Sequence, residues 1–304
     1  MKFLVILICL VINYAWLKDF DRFDDGWFFR FRARMAAMTA GLTNAAAWLL
    51  ALLLIYGIPM LVLAFILIAI NGRAYDMPLM LMHILVLLIA FDRIQPGNSA
   101  KEFLAHWRAE DDESALLHLR DKMELQESAS LENAEEIADY FARQLIYWCF
   151  ERMFVMFFWY IVAGPLAVLF SYISYQLRDC KNADTTAEEA SFVVRVIMVL
   201  EWVPLRLLAV TFSLAGNFVR CFESLKSSFW ESGDQERNAE ILYSYSTCAL
   251  TGIVQTTGES SPGYREQRAK EIEALLALLE RSQAIWLIVL AIITVTITML
   301  GQPV

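Results

Sequence analysis

Little in the 304-residue sequence matches the turns and clusters on which soluble enzymes are built. It has no Walker A sequence, no G-x-S-x-G elbow and no G-x-G-x-x-G turn, which removes the usual phosphate cradle, activated serine and dinucleotide site. Its three histidines, His83, His106 and His118, form no H-E-x-x-H pair. His106 and His118 stand twelve apart in an acidic stretch, so a metal hydrolase has no ligand set to rest on and no metal is expected. His83, inside PLMLMHILVLLIAF, reads as a packed residue with one hydrogen bond. The five cysteines, Cys9, Cys149, Cys180, Cys221 and Cys248, show no C-x-x-C spacing, so neither a zinc site nor a disulfide framework is indicated. Positive charge is scarce as well: 25 Lys and Arg against 34 Asp and Glu give a net charge of −9, and the basic residues are dispersed. Counterion-release binding needs a basic surface, so no nucleic-acid partner is expected. No motif names a cofactor.

What abounds is apolar. Hydrophobic residues make up 58% of the chain, and runs such as AAAWLLALLLIYGIPMLVLAFILIAI match or exceed the thickness of a bilayer core. The lipid bilayer is therefore the first partner expected. Bare strands cannot satisfy their backbone in lipid, so the fold class is all-α: a polytopic transmembrane helical bundle with cytoplasmic helical extensions. Six apolar segments stand out, at about 3–17, 44–70, 78–91, 146–177, 192–216 and 284–300. The first has the look of a signal peptide, but no small-x-small cleavage pattern follows, and it reads as a retained, short membrane helix. The third is short enough to be tilted or re-entrant. Five regions result: N-terminal membrane helices (1–91), an acidic helical region (92–145), central membrane helices (146–216), a second helical region (217–283) and a C-terminal membrane helix (284–304).

Lys and Arg number eighteen in the connections 18–43, 92–145 and 217–283, against four in 1–2, 71–77, 178–191 and the residues after 300. That asymmetry places the three long connections in the cytoplasm, and the N-terminus with loops 71–77 and 178–191 outside. Within 92–145, Phe103, Leu104 and Trp107, then Leu116, Leu117 and Leu119, fall near helical spacing. In SLENAEEIADYFARQLIYWCF, Ser130 is available as an N-cap and nothing breaks the helix before the fourth apolar segment. SSPGYREQRAKEIEALLALLERSQAIWLIVL behaves likewise, with Pro262 near its first turn and Ile272, Leu275, Leu276 and Leu279 on one face. Thr185 and Glu188 form a T-x-x-E capping box ahead of the fifth segment, TTGESSPG at 256–263 is a linker, and Gly164 with Ala167 makes a small-x-x-small flank.

Five charges lie in or beside apolar segments: Glu151, Arg152, Arg195, Glu201 and Arg206. Each costs about 2.5–3.5 kcal/mol near the bilayer centre unless it is paired or wetted. Arg195 is close enough to its helix start to snorkel and serve as an anchor. Glu201 and Arg206 are five apart, about 140° beyond one full turn, so each looks to a neighbouring helix. Between them Pro204 removes a backbone donor and frees the carbonyl of Leu200. A polar, ligand-binding pocket made by Glu201, Trp202, Pro204 and Arg206 with Glu151 or Arg152, and with Asn217 at a cytoplasmic rim, is one reading. Inter-helix salt bridges that only hold the bundle together are the other.

Two elements carry a resemblance: E-W-V-P-x-R-L at Glu201, Trp202, Val203, Pro204, Arg206 and Leu207, followed by LAGNF, and F-W-x-x-x-x-G-P at Phe158, Trp159, Gly164 and Pro165. With the C-terminal membrane helix they resemble the AmpE family, bacterial inner-membrane proteins associated with regulation of β-lactamase induction. That family looks related in turn to the CbiB/CobD membrane enzymes of cobalamin synthesis, which join an aminopropanol unit to a corrinoid carboxylate. This chain has no counterpart of their histidine-proline pair, their R-D-T stretch or their E-N-x-x-D run. The resemblance implies a regulatory protein of AmpC-type β-lactamase induction, binding a small ligand that is a cell-wall metabolite or a lipid-linked precursor. An ATP-dependent amide-forming ligase and a transporter stay open beside it.

Overall fold

The protein is seen in a computed structural model that describes residues 2–15, 26–39, 46–72, 76–90, 96–123, 133–180, 186–217, 233–251 and 263–299, with Leu131, Cys221, Lys226 and Glu231 besides. Every described element is helical, as the apolar composition requires. In chain order they are α1 Lys2–Ala15, α2 Gly26–Thr39, α3 Ala46–Ile70, α4 Met77–Ala90, α5 Pro96–Arg108, α6 Asp112–Met123, α7 Ala134–Cys149, a π-helical turn Phe150–Val155, α8 Met156–Ala163, α9 Pro165–Asp179, α10 Ala187–Ala215, α11 Gln235–Leu250 and α12 Tyr264–Met299. Three stretches among them are long and apolar enough to cross a membrane: Trp48–Ile70, Ala134–Ala163 and Tyr264–Thr296. Lys2–Ile12 and Met77–Ala90 are apolar but shorter. Large apolar side chains such as Leu53, Leu61, Phe65 and Ile68 on α3, and Ile288, Ile292 and Val295 on α12, are exposed as they would be to lipid. The chain is a membrane protein.

Two compact units share the chain: Met1–Arg93 with Arg152–Trp202, and Ile94–Glu151 with Val203–Pro303. In the first, α9 runs antiparallel to α3. Pro165 and Leu166 lie with Leu67, Ile68 and Asn71, whereas Phe170 and Ser174 meet Tyr56, whose hydroxyl is 3.0 Å from that of Ser174. The His83 ring sits 2.9 Å from the Tyr160 hydroxyl, the one hydrogen bond expected of it, and Lys2 Nζ donates to the Ile161 carbonyl at 2.8 Å.

Contacts among described residues fix the two ends of the first unit. Arg32 of α2 pairs with Glu189 at 3.1 Å and donates to the Cys180 carbonyl at 2.7 Å, and Trp48 touches Phe192. Cys180 and Glu189 therefore lie at the α2 end of the first unit, and Asn71 at the other end of α3. The reason is Gly164. The apolar stretch 146–177 reaches the Asn71 end at Ala163, breaks at Gly164 with φ 75°, and α9 leads back from that end. A Cβ on Gly164 would meet nothing within 4 Å, so the glycine serves its backbone angle, and the close helix contact expected with Ala167 is not its role.

The second unit has a core of soluble type. Ala100, Phe103, Leu104 and Trp107 of α5, Ala115 and Leu119 of α6, Ile137, Phe141 and Leu145 of α7, and Ile272 of α12 are buried together. Phe103 stacks on Phe141 at 3.8 Å. Leu116 packs at the edge of this cluster, while Leu117 faces out, because its turn position points away from Ala115 and Leu119. On α12 the apolar face is formed as expected, by Ile272, Leu275 and Leu279. Trp107 and Arg265 lock α5 to α12: the indole N–H donates to the Arg265 carbonyl at 2.9 Å, the guanidinium lies 4.7 Å above the ring, and it grips Asp112 bidentately at 2.8 Å.

Helix starts follow the capping rules with shifted positions. Asn133 caps α7, accepting from Glu136 N–H at 2.8 Å. Thr186 caps α10, accepting from Glu189 N–H at 3.2 Å, one residue beyond the box read at Thr185 and Glu188. Ser130, Thr185, Pro262 and most of the linker 256–263 lie outside the described residues.

Candidate functional site

Each motif on α10 has a physical partner. Pro204 cannot donate to the Leu200 carbonyl, and the indole N–H of Trp159 donates to it instead, at 3.0 Å. One tryptophan from the F-W-x-x-x-x-G-P element thereby satisfies the acceptor that the proline of E-W-V-P-x-R-L leaves open. Glu201 is buried, and its carboxylate accepts from the Tyr175 hydroxyl at 2.9 Å. Trp202, one position on, is 38% exposed on another face of the helix. Arg206 is buried and donates to the Glu231 carbonyl at 3.2 Å. Gly216 of LAGNF lets the chain approach Ala249, whose carbonyl oxygen would stand 2.5 Å from any added Cβ, and Asn217 N–H donates to that same oxygen at 3.1 Å.

Glu151 and Arg152 fall in the π-helical turn, a widened turn that re-aims side chains and is often found at functional sites. Glu151 is buried and Arg152 partly so. The boundary between units runs through the expected constellation: Arg152, Glu201 and Trp202 belong to the first, and Glu151, Pro204, Arg206 and Asn217 to the second.

Sequence reasoning missed a cavity of about 430 Å³ in the second unit, walled by α7, α11 and α12. Ala138, Ala142, Leu250, Ile272 and Leu275 make its apolar side. Ser244, Ser246, Thr247 and Thr251 make a hydroxyl-rich side, three of them donating to carbonyls of their own helix: Ser246 to Tyr243 at 2.7 Å, Thr247 to Ser244 at 2.9 Å and Thr251 to Thr247 at 2.8 Å. A hydroxyl that donates backwards keeps its oxygen lone pairs for a ligand. At one end Arg268 bridges Asp139 of α7 and Glu271 of its own helix, and the Tyr243 hydroxyl donates to Asp139 at 3.0 Å. Burial, and then the Asp139 charge, push the Tyr243 phenol up to about 12, so it stays protonated and donates. The signal in the sequence was faint: QERNAEILYSYSTCAL carries hydroxyls at spacings that matter only once α7 and α12 are seen to flank it.

His118 lies apart from this cavity, 3.1 Å from the Ser99 hydroxyl and among Phe103 and Phe141. Burial holds its imidazole below the usual histidine range, with Glu102 opposing. Volume, hydroxyls and an anchored ion-pair network suit the cavity to a small amphipathic ligand.

No curated protein and no solved structure matches the chain. A family model does, over residues 5–299, and its description is regulatory signalling modulator protein AmpE. The match takes in every described helix but the start of the first, and with it the elements that hold Trp159, Pro204, Gly216 and Asn217. The chain belongs to the AmpE family of regulatory signalling modulators.

Proposed function

We propose that this protein acts in the bacterial inner membrane as a regulator of AmpC-type β-lactamase induction, and that it reads a small ligand in the cavity between α7, α11 and α12. The cavity itself carries this reading. It combines an apolar wall, a hydroxyl-rich wall and an ion-pair network at Asp139, Arg268 and Tyr243 within one unit. A cell-wall metabolite or a lipid-linked precursor has the required mixture of polar and apolar groups. In this reading the connections 92–145 and 217–283 face the cytoplasm, in keeping with their basic residues. Glu201, held in an apolar helix by Tyr175, is a second polar element that the membrane part keeps at a desolvation cost.

The experiment is complementation of cells that lack the protein, with β-lactamase output as readout. Thr247→Trp places a large side chain from an exposed wall position into the cavity. It should reach the membrane at wild-type level and fail to restore regulation, and Glu201→Gln and Arg206→Gln should do the same. Full regulation by Thr247→Trp at normal abundance would overturn the cavity as the sensing site.

A further inference from the structure

The wall of the cavity between α7, α11 and α12 is rich in hydrogen-bond acceptors and poor in donors. Thr247 gives its hydroxyl proton to the Ser244 carbonyl at 2.9 Å and Thr251 to the Thr247 carbonyl at 2.8 Å, and both residues are exposed along that wall. Each oxygen keeps its lone pairs and has no second proton to offer. Ser246 donates to the Tyr243 carbonyl at 2.7 Å and the Tyr243 hydroxyl to Asp139 at 3.0 Å, which leaves Ser244, among the described residues, as the lining hydroxyl open to donate outward. Charge follows the same pattern. Among the described residues Arg268 is the one cation that lines the cavity, and its terminal nitrogens are held by Asp139 and Glu271. Its Nε is buried without a hydrogen-bond partner among the described residues, out of an occupant's reach. Two carboxylates against one guanidinium leave this network with an excess negative charge at neutral pH.

An occupant must supply what the wall lacks. We propose that the cavity takes an amphipathic amine, whose protonated amino group is drawn to the Asp139–Arg268–Glu271 end, whose further N–H or O–H groups donate to Thr247 and Thr251, and whose apolar body lies on Ala142, Leu250 and Leu275. An ammonium group brings donors and no acceptor, and its charge offsets the excess on the network. An anionic head group does the reverse. A carboxylate or phosphate brings acceptors to a wall already supplied with them, and adds like charge in a space that is partly shielded from water. With Arg268 already held between two carboxylates, no cation on the wall is left to receive it. This inference rests on the cavity as the place where the ligand is read, and it specifies the ligand's head group.

Cys248 supplies the readout. It lines the cavity and is half-buried, whereas Cys9, Cys149, Cys180 and Cys221 are buried, so the rate at which N-ethylmaleimide alkylates Cys248 reports occupancy. The full-length protein in one detergent is alkylated in the presence of phenylbutylamine, phenylbutanol or phenylbutyrate, which share an apolar body and differ in head group, and peptide mass spectrometry follows Cys248. The amine should slow the reaction at a concentration about tenfold below that of the alcohol, and the acid should not slow it over the same range. In Thr247→Trp none of the three should change the rate. Glu271→Gln keeps the shape of the side chain and removes the excess charge, so the amine should lose its advantage over the alcohol. Weakening of amine and alcohol alike in Glu271→Gln, or protection by the acid equal to that by the amine, overturns the amine proposal and leaves the cavity as a site. If no probe changes the wild-type rate up to its solubility limit, the proposal falls together with the reading it rests on.

Discussion

Substituting Trp159 by Phe keeps an aromatic ring and removes the N–H that the Leu200 carbonyl accepts at 3.0 Å. A buried acceptor left without its donor costs about 1–3 kcal/mol, and the smaller ring adds a packing loss of unknown share. A double-mutant cycle separates the two. In a Pro204→Ala background the new backbone N–H at position 204 bonds to Leu200 in the ordinary i to i−4 manner, so the indole is no longer needed there. Packing loss is the same in both backgrounds and cancels. The expected coupling is about 1 kcal/mol, with Trp159→Phe costing less when residue 204 is alanine. Denaturant unfolding of the four proteins in one detergent measures it. Equal costs in both backgrounds, within about 0.3 kcal/mol, would refute the claim that the tryptophan compensates the proline.

Three other expectations follow from the same geometry. Gly164→Ala places a side chain at φ 75° in a backbone region almost reserved for glycine, and should cost about 1–3 kcal/mol; Gly57→Ala, inside α3 with nothing near its added Cβ, should stabilise by up to about 1 kcal/mol. Thermal unfolding of both variants checks the pair. Arg268→Met leaves Asp139 and Glu271 without their shared cation and should destabilise by about 2–3 kcal/mol, with part of the loss recovered in an Asp139→Asn background, as chemical unfolding would show. His118 has its folded-state pKa below the unfolded value of about 6.5, so the unfolded chain binds the extra proton. Its contribution is complete above that value and is lost as pH falls toward the folded pKa, at up to about 1.4 kcal/mol per pH unit. The stability difference between wild type and His118→Asn should shrink across that window, and a difference flat with pH would contradict it.

How much of this was legible in the sequence depended on whether one element's pattern sufficed. The apolar periodicity of Phe103, Leu104 and Trp107 and of Ile272, Leu275 and Leu279 named the buried faces, since each helix buries one side whatever covers it. Pro204 announced an open carbonyl, but only the fold supplied Trp159, forty-one residues earlier, as its donor. The break at Gly164 was harder to see, because 146–177 reads as one apolar segment. At about 1.5 Å per residue, 146–177 exceeds a bilayer core, and Gly164 before Pro165 was the available mark of the break. The cavity depends on α7, α11 and α12 coming together, a meeting that no local pattern encodes.

The most direct test of the central claim is native mass spectrometry of the wild-type protein and Thr247→Trp, released from the same detergent after identical purification. A small molecule bound by the cavity should travel with wild type, be missing from Thr247→Trp, and yield a fragment pattern with both polar and apolar portions. Equal retention of the same molecule by both proteins would contradict the account, because the blocked cavity could not then be where the ligand is read.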